Sequence, residues 1–243
     1  MGPDYIFVLA LVCFLSVIQS IFGLGILVFG TPTLLLAGYD FISAIGYLVP
    51  ASFVISLLQV INNRSSQKKI SWHLYAICLP AIGIGLWIVQ GTDMGSWLHY
   101  LIGVTLIIAA TLRLKGSPPM ALSSFLQTYS PAYHFVMGMV HGLTNLGGAL
   151  LTILASNVHK DKEDVRRTVA HYYLAFVIIQ ILLLVILFEQ GEELLNNLPI
   201  ALAAGAIFLL VGNRLFLKTS NPFYHHGLTA LTFAYGIAVL VAI

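Results

Sequence analysis

The sequence predicts an all-helical, polytopic membrane protein built as an inverted-topology repeat. Of its 243 residues, 59% are hydrophobic and only 8% are charged, whereas about 25% of the residues of a soluble domain are charged. Several apolar segments approach the roughly 20 residues that a membrane-spanning helix needs. Two further segments are too long for one crossing and are interrupted by glycine-rich stretches, one in each half of the chain.

Eight apolar segments follow one another along the chain. They lie at 5–36, 41–61, 71–90, 96–112, 131–156, 169–188, 198–213 and 222–243. The first and fifth carry the breaks, and each is predicted to form a re-entrant helical hairpin. The other six are predicted transmembrane helices. Residues 1–113 are then the first repeat, 114–130 a cytoplasmic connector, and 131–243 the second, inverted repeat.

The basic residues indicate how the two broken segments run, because Lys and Arg accumulate in cytoplasmic loops. If both segments are hairpins, all 11 basic residues lie on one face: Arg64, Lys68, Lys69, Arg113, Lys115, Lys160, Lys162, Arg166, Arg167, Arg214 and Lys218. If both segments crossed fully, these residues would be divided between the two faces. We therefore predict hairpins in a protein of the cell (inner) membrane, with both termini extracytoplasmic.

The glycine-rich tips of the hairpins are predicted to bind a small anion. Limbs of about 14 residues, or roughly 21 Å, would place each tip near the middle of a hydrocarbon core about 30 Å thick. A helix begins after each tip, and its first amides and its dipole attract an anion. Paired breaks of this kind mark transporter substrate sites. We expect the two helix N-termini to face each other; the alternative is that the glycines only allow close helix packing.

The candidate binding residues are glycines and polar residues at or near the tips. No Lys, Arg, Asp or Glu lies inside a predicted span, so amides, hydroxyls and imidazoles would hold the anion. Asn145 is predicted to cap the helix after the second tip, with Thr144 adding a hydroxyl, and His141 or His171 could carry a coupling proton. The full set is Gln19, Ser20, Gly23, Gly25, Ser56, His141, Thr144, Asn145, Gly147, Gly148, His171 and Gln180.

Each of these assignments has a structural alternative. A polar side chain can serve as a hydrogen bond between helices, and a neutral histidine can be satisfied by a carbonyl. If the anion approaches the backbone at the second tip, valine at Gly147 or Gly148 should abolish transport and leave the protein folded.

Both tips resemble those of the TauE/SafE sulfite-exporter family of membrane anion transporters. That family carries a Gly-x-Gly-Gly-Gly cluster, then apolar residues and a proline, once per half. Here residues 23–27 (Gly-Leu-Gly-Ile-Leu) precede Pro32, and residues 145–149 (Asn-Leu-Gly-Gly-Ala) form the second cluster, with Leu154 in place of the proline. Two glycines of the first cluster are replaced, so that tip should contribute less to binding. The resemblance marks Gly23, Gly25, Asn145, Gly147 and Gly148.

The resemblance implies a secondary transporter that moves sulfite or a short organosulfonate by alternating access. A passive small-anion channel and a transporter of a non-sulfur anion, such as a carboxylate, are the alternatives. An enzyme is not expected, because the spans contain no acid pair, no nucleophile beside a base and no histidine-rich metal motif. The expected partners are the anion, the lipid bilayer, a coupling proton and further copies of the chain. We expect no cofactor, no metal and no nucleic acid.

Overall fold

Helices form all of the regular structure in the part of the chain that the computed structural model describes, residues 3–62, 70–91, 95–114, 124–126 and 128–242. Five helical segments in this part are long and apolar enough to cross a membrane: Asp4–Phe22, Phe41–Asn62, Leu74–Gly91, Lys162–Ile186 and Leu198–Lys218. The protein is therefore a multi-pass helical membrane protein. Most of the predicted connector, together with Arg64, Lys68, Lys69 and Lys115, lies outside the described residues.

The helices follow the predicted segments closely along the chain. They are α1 (Pro3–Phe22), α2 (Ile26–Leu36), α3 (Phe41–Asn62), α4 (Leu79–Gly91), α5 (Gly95–Leu114), α6 (Ser130–Thr144), α7 (Gly147–Val158), α8 (Lys162–Ile186), α9 (Gly191–Asn196), α10 (Leu198–Ile207), α11 (Asn213–Lys218) and α12 (Asn221–Val241). A π-helical turn, Leu74–Cys78, leads into α4, and a second, Phe208–Gly212, joins α10 to α11.

At the first glycine-rich stretch the chain turns back on itself between α1 and α2. A Cβ atom at Gly25 would lie 2.7 Å from the Gln19 nitrogen and 3.0 Å from the Leu15 carbonyl oxygen. Gly30, one turn further along α2, also faces Leu15. These contacts place α2 antiparallel to α1, and small residues at the crossing let the two backbones approach closely.

The second glycine-rich stretch reverses the chain in the same way between α6 and α7. A Cβ atom at Gly147 would lie 2.9 Å from the Met137 carbonyl oxygen. Further from the tip, the Tyr133 hydroxyl donates to the Leu150 carbonyl at 2.7 Å. The residues before and after the break therefore pair in antiparallel order, and α6 and α7 form a helical hairpin.

The limbs of the two hairpins are not of equal length. The α1 helix has 20 residues and α2 has 11, whereas α6 has 15 and α7 has 12. At 1.5 Å per residue, α1 alone rises about 30 Å, enough to cross the hydrocarbon core. The prediction of limbs of about 14 residues was therefore wrong for the first hairpin. The α1 helix continues through Gln19 and Ser20 as far as Phe22, which makes this limb the longer one.

The N-terminal and C-terminal halves of the protein pack against each other through several pairs of helices. The α3 helix packs against α8, and α5 against α12. The contact between α5 and α12 is reciprocal: a Cβ atom at Gly103 would lie 2.5 Å from Leu240, and one at Gly236 would lie 3.0 Å from Ile107. Each hairpin is also covered by a helix of the other half, since α4 packs on α6, and α10 and α11 pack on α1.

Candidate functional site

The first break is held together by Gln19, whose side-chain amide contacts two other helices. Its Oε1 accepts a hydrogen bond at 3.1 Å from the N–H of Ile26, the first residue of α2. Its Nε2 donates to the hydroxyls of Ser52 at 3.1 Å and Ser56 at 3.4 Å on α3. Both ends of the Gln19 amide are therefore used within the protein, and Ser56 takes part in the same link.

Ser20 and Gly23 form the end of the first break that faces α8. Gly23 has φ +81°, the left-handed region that favours glycine. The Ser20 hydroxyl donates to the Ser16 carbonyl at 2.6 Å, and the Ser20 carbonyl accepts from Nη1 of Arg166 at 2.9 Å. A Cβ atom at Gly23 would lie 3.3 Å from Cγ of Arg166. An arginine therefore lies directly beside the first break.

Arg166 lies in the first turns of α8, upstream of the predicted span 169–188. The helix that carries it starts at Lys162, not near residue 169, and the Arg166 side chain is only 6% exposed. Its guanidinium carbon lies 3.3 Å from the centre of the Phe216 ring, and its Nη atoms share Oδ1 of Asn213 at 3.4 Å. Among the described residues no carboxylate pairs with it, and its Nε has no hydrogen-bond partner. A buried cation with neutral partners is a candidate counter-charge for an anion.

The spacing of residues in the sequence could have indicated that Arg166 shares a helix face with the second break, but only if the start of α8 were known. Arg166, Tyr173 and Gln180 follow one another at intervals of seven residues, which places them on one face of the helix. Arg166 and Val169 lie against the first break, whereas Tyr173 and Gln180 lie against the second. Hydropathy alone excluded Arg166, because it assigns the polar first turns of α8 to a loop.

Asn145 ends α6 and does not cap α7, so the predicted capping role is wrong. Its backbone is left-handed, with φ +66°, and its N–H donates to the His141 carbonyl at 2.8 Å. The N-cap of α7 is Leu146, whose own N–H donates to Oγ1 of Thr144 at 3.2 Å. The reversal of the chain needs one residue with a left-handed backbone. Glycine adopts this conformation most readily, and asparagine is the next most common choice. The Thr144 hydroxyl thus accepts from a backbone amide at the break, and its predicted contact with an anion stays a prediction.

The Asn145 side chain links the second break to both halves of the protein. Its Nδ2 donates to Oγ1 of Thr31 at 2.8 Å, and its Oδ1 accepts from Nε2 of Gln180 at 3.0 Å. Thr31 lies inside α2, more than one helical turn beyond Ile26. Asn145, at the second break, therefore lies beside the second turn of α2.

The helices that flank the breaks show where each break lies along the bundle. Gln19 contacts Ser52 and Ser56 in α3, in the half of that helix nearer its C-terminus. Gln180, which contacts the second break, lies in the C-terminal half of α8. Gln19 therefore contacts α3 at its midpoint and one turn beyond it, whereas Gln180 lies past the midpoint of α8.

At Gly147 and Gly148 the space that a side chain would occupy is already filled by other groups. A Cβ atom at Gly147 would lie 2.5 Å from Cβ of His141, and one at Gly148 would collide with the hydroxyl of Tyr173. The close-packing explanation therefore accounts for Gly147, whose neighbours are the hairpin itself. At Gly148 the occupying group is the end of one side chain from α8.

Three completely buried side chains at the second break carry polar atoms without a hydrogen-bond partner. These atoms are both ring nitrogens of His141, the hydroxyl of Tyr173 and Oε1 of Gln180; the His141 and Gln180 side chains face each other without a hydrogen bond of normal geometry. The His141 ring lies 4.5 Å from Phe176 and 6.2 Å from Tyr173, measured between ring centres. Buried polar atoms are nearly always paired, because an unpaired one costs about 1–3 kcal/mol. Their concentration at the start of α7 marks a place where a ligand would supply the missing partners.

His171 does not join this group. Its Nδ1 hydrogen-bonds to the Arg167 carbonyl at 2.8 Å, and none of its described contacts reaches either break. The alternative of a histidine satisfied by a carbonyl therefore describes His171, and His141 is the histidine at the second break. Tyr173, in contrast, was not expected at the site, because hydropathy placed it near the end of a span.

The comparison with protein families covers both hairpins. The family model for the sulfite exporter TauE/SafE matches residues 8–239, nearly the whole chain. Searches of curated proteins and of solved structures gave no match. The family match agrees with the resemblance at residues 23–27 and 145–149, which form the two breaks. The chain belongs to the TauE/SafE sulfite-exporter family and is a membrane transporter of the class that moves sulfur-containing anions.

Proposed function

We propose that this protein is a secondary transporter that carries sulfite or a short organosulfonate by alternating access, with the anion bound at the second break. The unpartnered polar atoms of His141, Tyr173 and Gln180 carry this proposal. The Tyr173 hydroxyl and a protonated His141 nitrogen can donate hydrogen bonds to sulfonyl oxygens. The Gln180 Oε1 can accept a hydrogen bond from the neighbouring His141 imidazole, so it leaves the Tyr173 hydroxyl and the imidazole as the groups that contact the anion.

The helix that begins after the second break adds to the attraction for an anion. The α7 helix has 12 residues, and Gly147 and Gly148 are its first two. The amides of a first turn lack intrahelical partners and lie at the positive end of the helix dipole. With the Tyr173 hydroxyl moved away from Gly148, an oxyanion could contact those amides without a side chain between them.

Arg166 supplies a fixed positive charge on the same helix face. It lies two seven-residue steps before Gln180, or about 21 Å along the α8 axis, and one step before Tyr173. In our proposal Arg166 raises the local anion concentration at the first break, on the side of the bundle where α8 begins. Its bond to the Ser20 carbonyl also holds the end of α1 in place.

Two features support the proposal that the halves form an inverted repeat. The corresponding residues of the two breaks, Gly23 and Asn145, both have left-handed backbones. The reciprocal contacts of Gly103 with Leu240 and of Gly236 with Ile107 have the pattern of a two-fold axis. In such transporters one repeat rocks against the other around the site. The Asn145–Thr31 hydrogen bond joins the two halves and would break in that motion.

The inverted repeat predicts that both chain termini lie outside the cytoplasm. Tags placed at either terminus should then be accessible to an impermeant reagent in intact cells, whereas a tag in the 62–69 loop should be protected. Permeabilised cells give the control, because every tag should then react. A protected C-terminal tag combined with an accessible 62–69 loop would contradict this topology.

The Tyr173→Phe substitution tests the binding site directly. We expect the apparent affinity for sulfite to fall about tenfold or more, since a hydrogen bond to a charged group contributes about 1.5–3 kcal/mol. Thermal stability should be unchanged or higher, because the substitution removes a buried hydroxyl that has no partner in the protein. Uptake into proteoliposomes and thermal unfolding in detergent measure the two effects.

Tyr133→Phe is the matched control on the same hairpin. It removes the bond from the Tyr133 hydroxyl to the Leu150 carbonyl and should lower stability by about 1 kcal/mol without changing affinity. If Tyr173→Phe loses stability and keeps its affinity, Tyr173 has a packing role and the binding site lies elsewhere.

The same proteoliposomes separate a carrier from a channel and sulfite from other anions. A carrier shows saturable uptake and is accelerated by unlabelled substrate on the opposite side of the membrane, whereas a passive channel shows neither. Competition by hydrogen sulfite and taurine, with weak competition by acetate, is expected from the sulfonyl-directed site. Strong competition by acetate alone would favour a carboxylate transporter.

A further inference from the structure

A cavity lined by both polar and apolar side chains lies at the open end of the second hairpin, away from its tip. It has a volume of about 630 Å³, within the range of small-molecule binding pockets. The residues that bear on its chemistry are Ser71, His73, Ser130, His134, His159 and Tyr172. They come from the chain leading into α4, the start of α6, the segment after α7, and α8.

Hydroxyl groups hold two of these histidines next to each other. Nδ1 of His73 lies 3.0 Å from Oγ of Ser71 and 3.3 Å from Oγ of Ser130. Nδ1 of His134 lies 2.8 Å from the Ser130 carbonyl oxygen, and its Nε2 lies 3.0 Å from the hydroxyl of Tyr172. Because a carbonyl only accepts, Nδ1 of His134 carries a proton. The centres of the two rings are 5.4 Å apart.

The lining favours an anion as the occupant. None of the lining residues that the structure describes is acidic, and imidazole, hydroxyl and amide groups all offer hydrogen bonds to an oxyanion. The α6 helix begins at the cavity and α7 ends there, so their dipoles offset each other. The imidazole N–H and hydroxyl groups, which donate hydrogen bonds, then favour a ligand that is rich in acceptor oxygens.

Only one layer of aromatic rings separates this cavity from the second break. Tyr172, which hydrogen-bonds to His134, lies 6.2 Å from Phe176, and Phe176 lies 4.5 Å from His141. His134 and His141 are seven residues apart on α6, so they lie on the same face of that helix about 10 Å apart. The His134–Tyr172 pair therefore forms the floor of the cavity, and the unpartnered His141 lies beyond it.

We infer that this cavity is a second anion site, in which the transported anion waits before it reaches the second break. The inference rests on the proposed function, since it assigns the same substrate to both places. The anion binds between His73 and His134, and it moves on when the His134–Tyr172 pair and Phe176 separate.

A tryptophan beside the cavity provides a specific signal for the experiment. The Trp72 ring lies 4.5 Å from the His73 ring, whereas Trp87 and Trp97 are 65% and 76% exposed and can be replaced with phenylalanine. The full chain, carrying W87F and W97F, is titrated in lipid-free detergent with methanesulfonate, whose charge is constant. Calorimetry on the same protein counts the sites.

The expected result is two sites per chain and a saturable change in Trp72 fluorescence. His73→Phe keeps an aromatic ring beside Trp72 but removes both nitrogens, and should weaken the fluorescence-detected site about tenfold while leaving the other site intact. Tyr173→Phe should weaken the site at the second break and leave the fluorescence-detected site intact. Ser130→Ala, a smaller change at the same cavity, should weaken the same site as His73→Phe if both variants fold.

Three results would overturn the inference. A single site that only Tyr173→Phe weakens would remove the cavity site and leave the proposed function standing. No binding at either place would contradict both. A Trp72 response that requires phosphatidylglycerol in nanodiscs, with none to methanesulfonate, would assign the cavity to a lipid headgroup.

Discussion

Replacing Gly147 with valine is expected to prevent the second hairpin from closing, so that little folded protein is recovered. A side chain at this position would lie 2.5 Å from Cβ of His141 and 2.9 Å from the Met137 carbonyl oxygen. Both atoms belong to α6 and cannot move without separating the limbs of the hairpin. Overpacking of this kind costs about 1–3 kcal/mol, and more where backbone must shift. The monodisperse fraction in detergent and the midpoint of thermal unfolding measure the loss.

Gly91→Val is the control, because nothing lies within 4 Å of the position that its Cβ would take. It adds the same side chain at the end of α4 and should leave folding intact. The sequence suggested that Gly147→Val would fold and fail only in transport, and the geometry contradicts this. A Gly147→Val protein that folds but does not transport would contradict this prediction. It would support the original interpretation, in which Gly147 leaves the backbone accessible to the anion.

The general architecture was predictable because membrane proteins obey a simple rule. Backbone groups in lipid must be satisfied internally, so apolar segments become helices and glycine-rich interruptions become turns inside the protein. Residues 23–25 and 145–147 were expected to correspond, and Gly23 and Asn145 do share the left-handed conformation. The positions of the two breaks could therefore be inferred from where glycines interrupt the apolar segments.

The arrangement of side chains at the breaks was less predictable, because it depends on contacts between distant helices. Asn145 looks like a helix cap in sequence, but its left-handed backbone directs its amide toward Thr31 and Gln180. Arg166 appeared to belong to a loop, because mean hydropathy is averaged over all residues of a window. Such an average does not distinguish the buried face of a polar helical turn from its exposed face. Only the packing of α8 against both breaks brings Arg166 and Tyr173 into the site.

The second prediction with a large effect concerns His141, the completely buried histidine at the second break. Both of its ring nitrogens lack a hydrogen-bond partner in the protein. An anion placed beside the ring would favour the protonated imidazole, so binding the anion should also bind a proton. By linkage the apparent affinity then rises by up to about tenfold for each unit that the pH falls, between the imidazole pKa with the anion bound and the lower imidazole pKa without it. Coupling of proton and anion follows without a buried carboxylate.

His141→Gln should keep a hydrogen bond to the anion but lose this titration. We expect weaker binding with a flatter pH profile than that of the protein with His141, measured with methanesulfonate because its own charge does not change. Both proteins should carry His73→Phe, so that anion binding at the cavity beside Trp72 contributes little to the profile. If the two profiles coincide, His141 does not take up the proton. Proton coupling would then have to come from the titration of the substrate itself or from His171, whose Nδ1 already bonds to the Arg167 carbonyl.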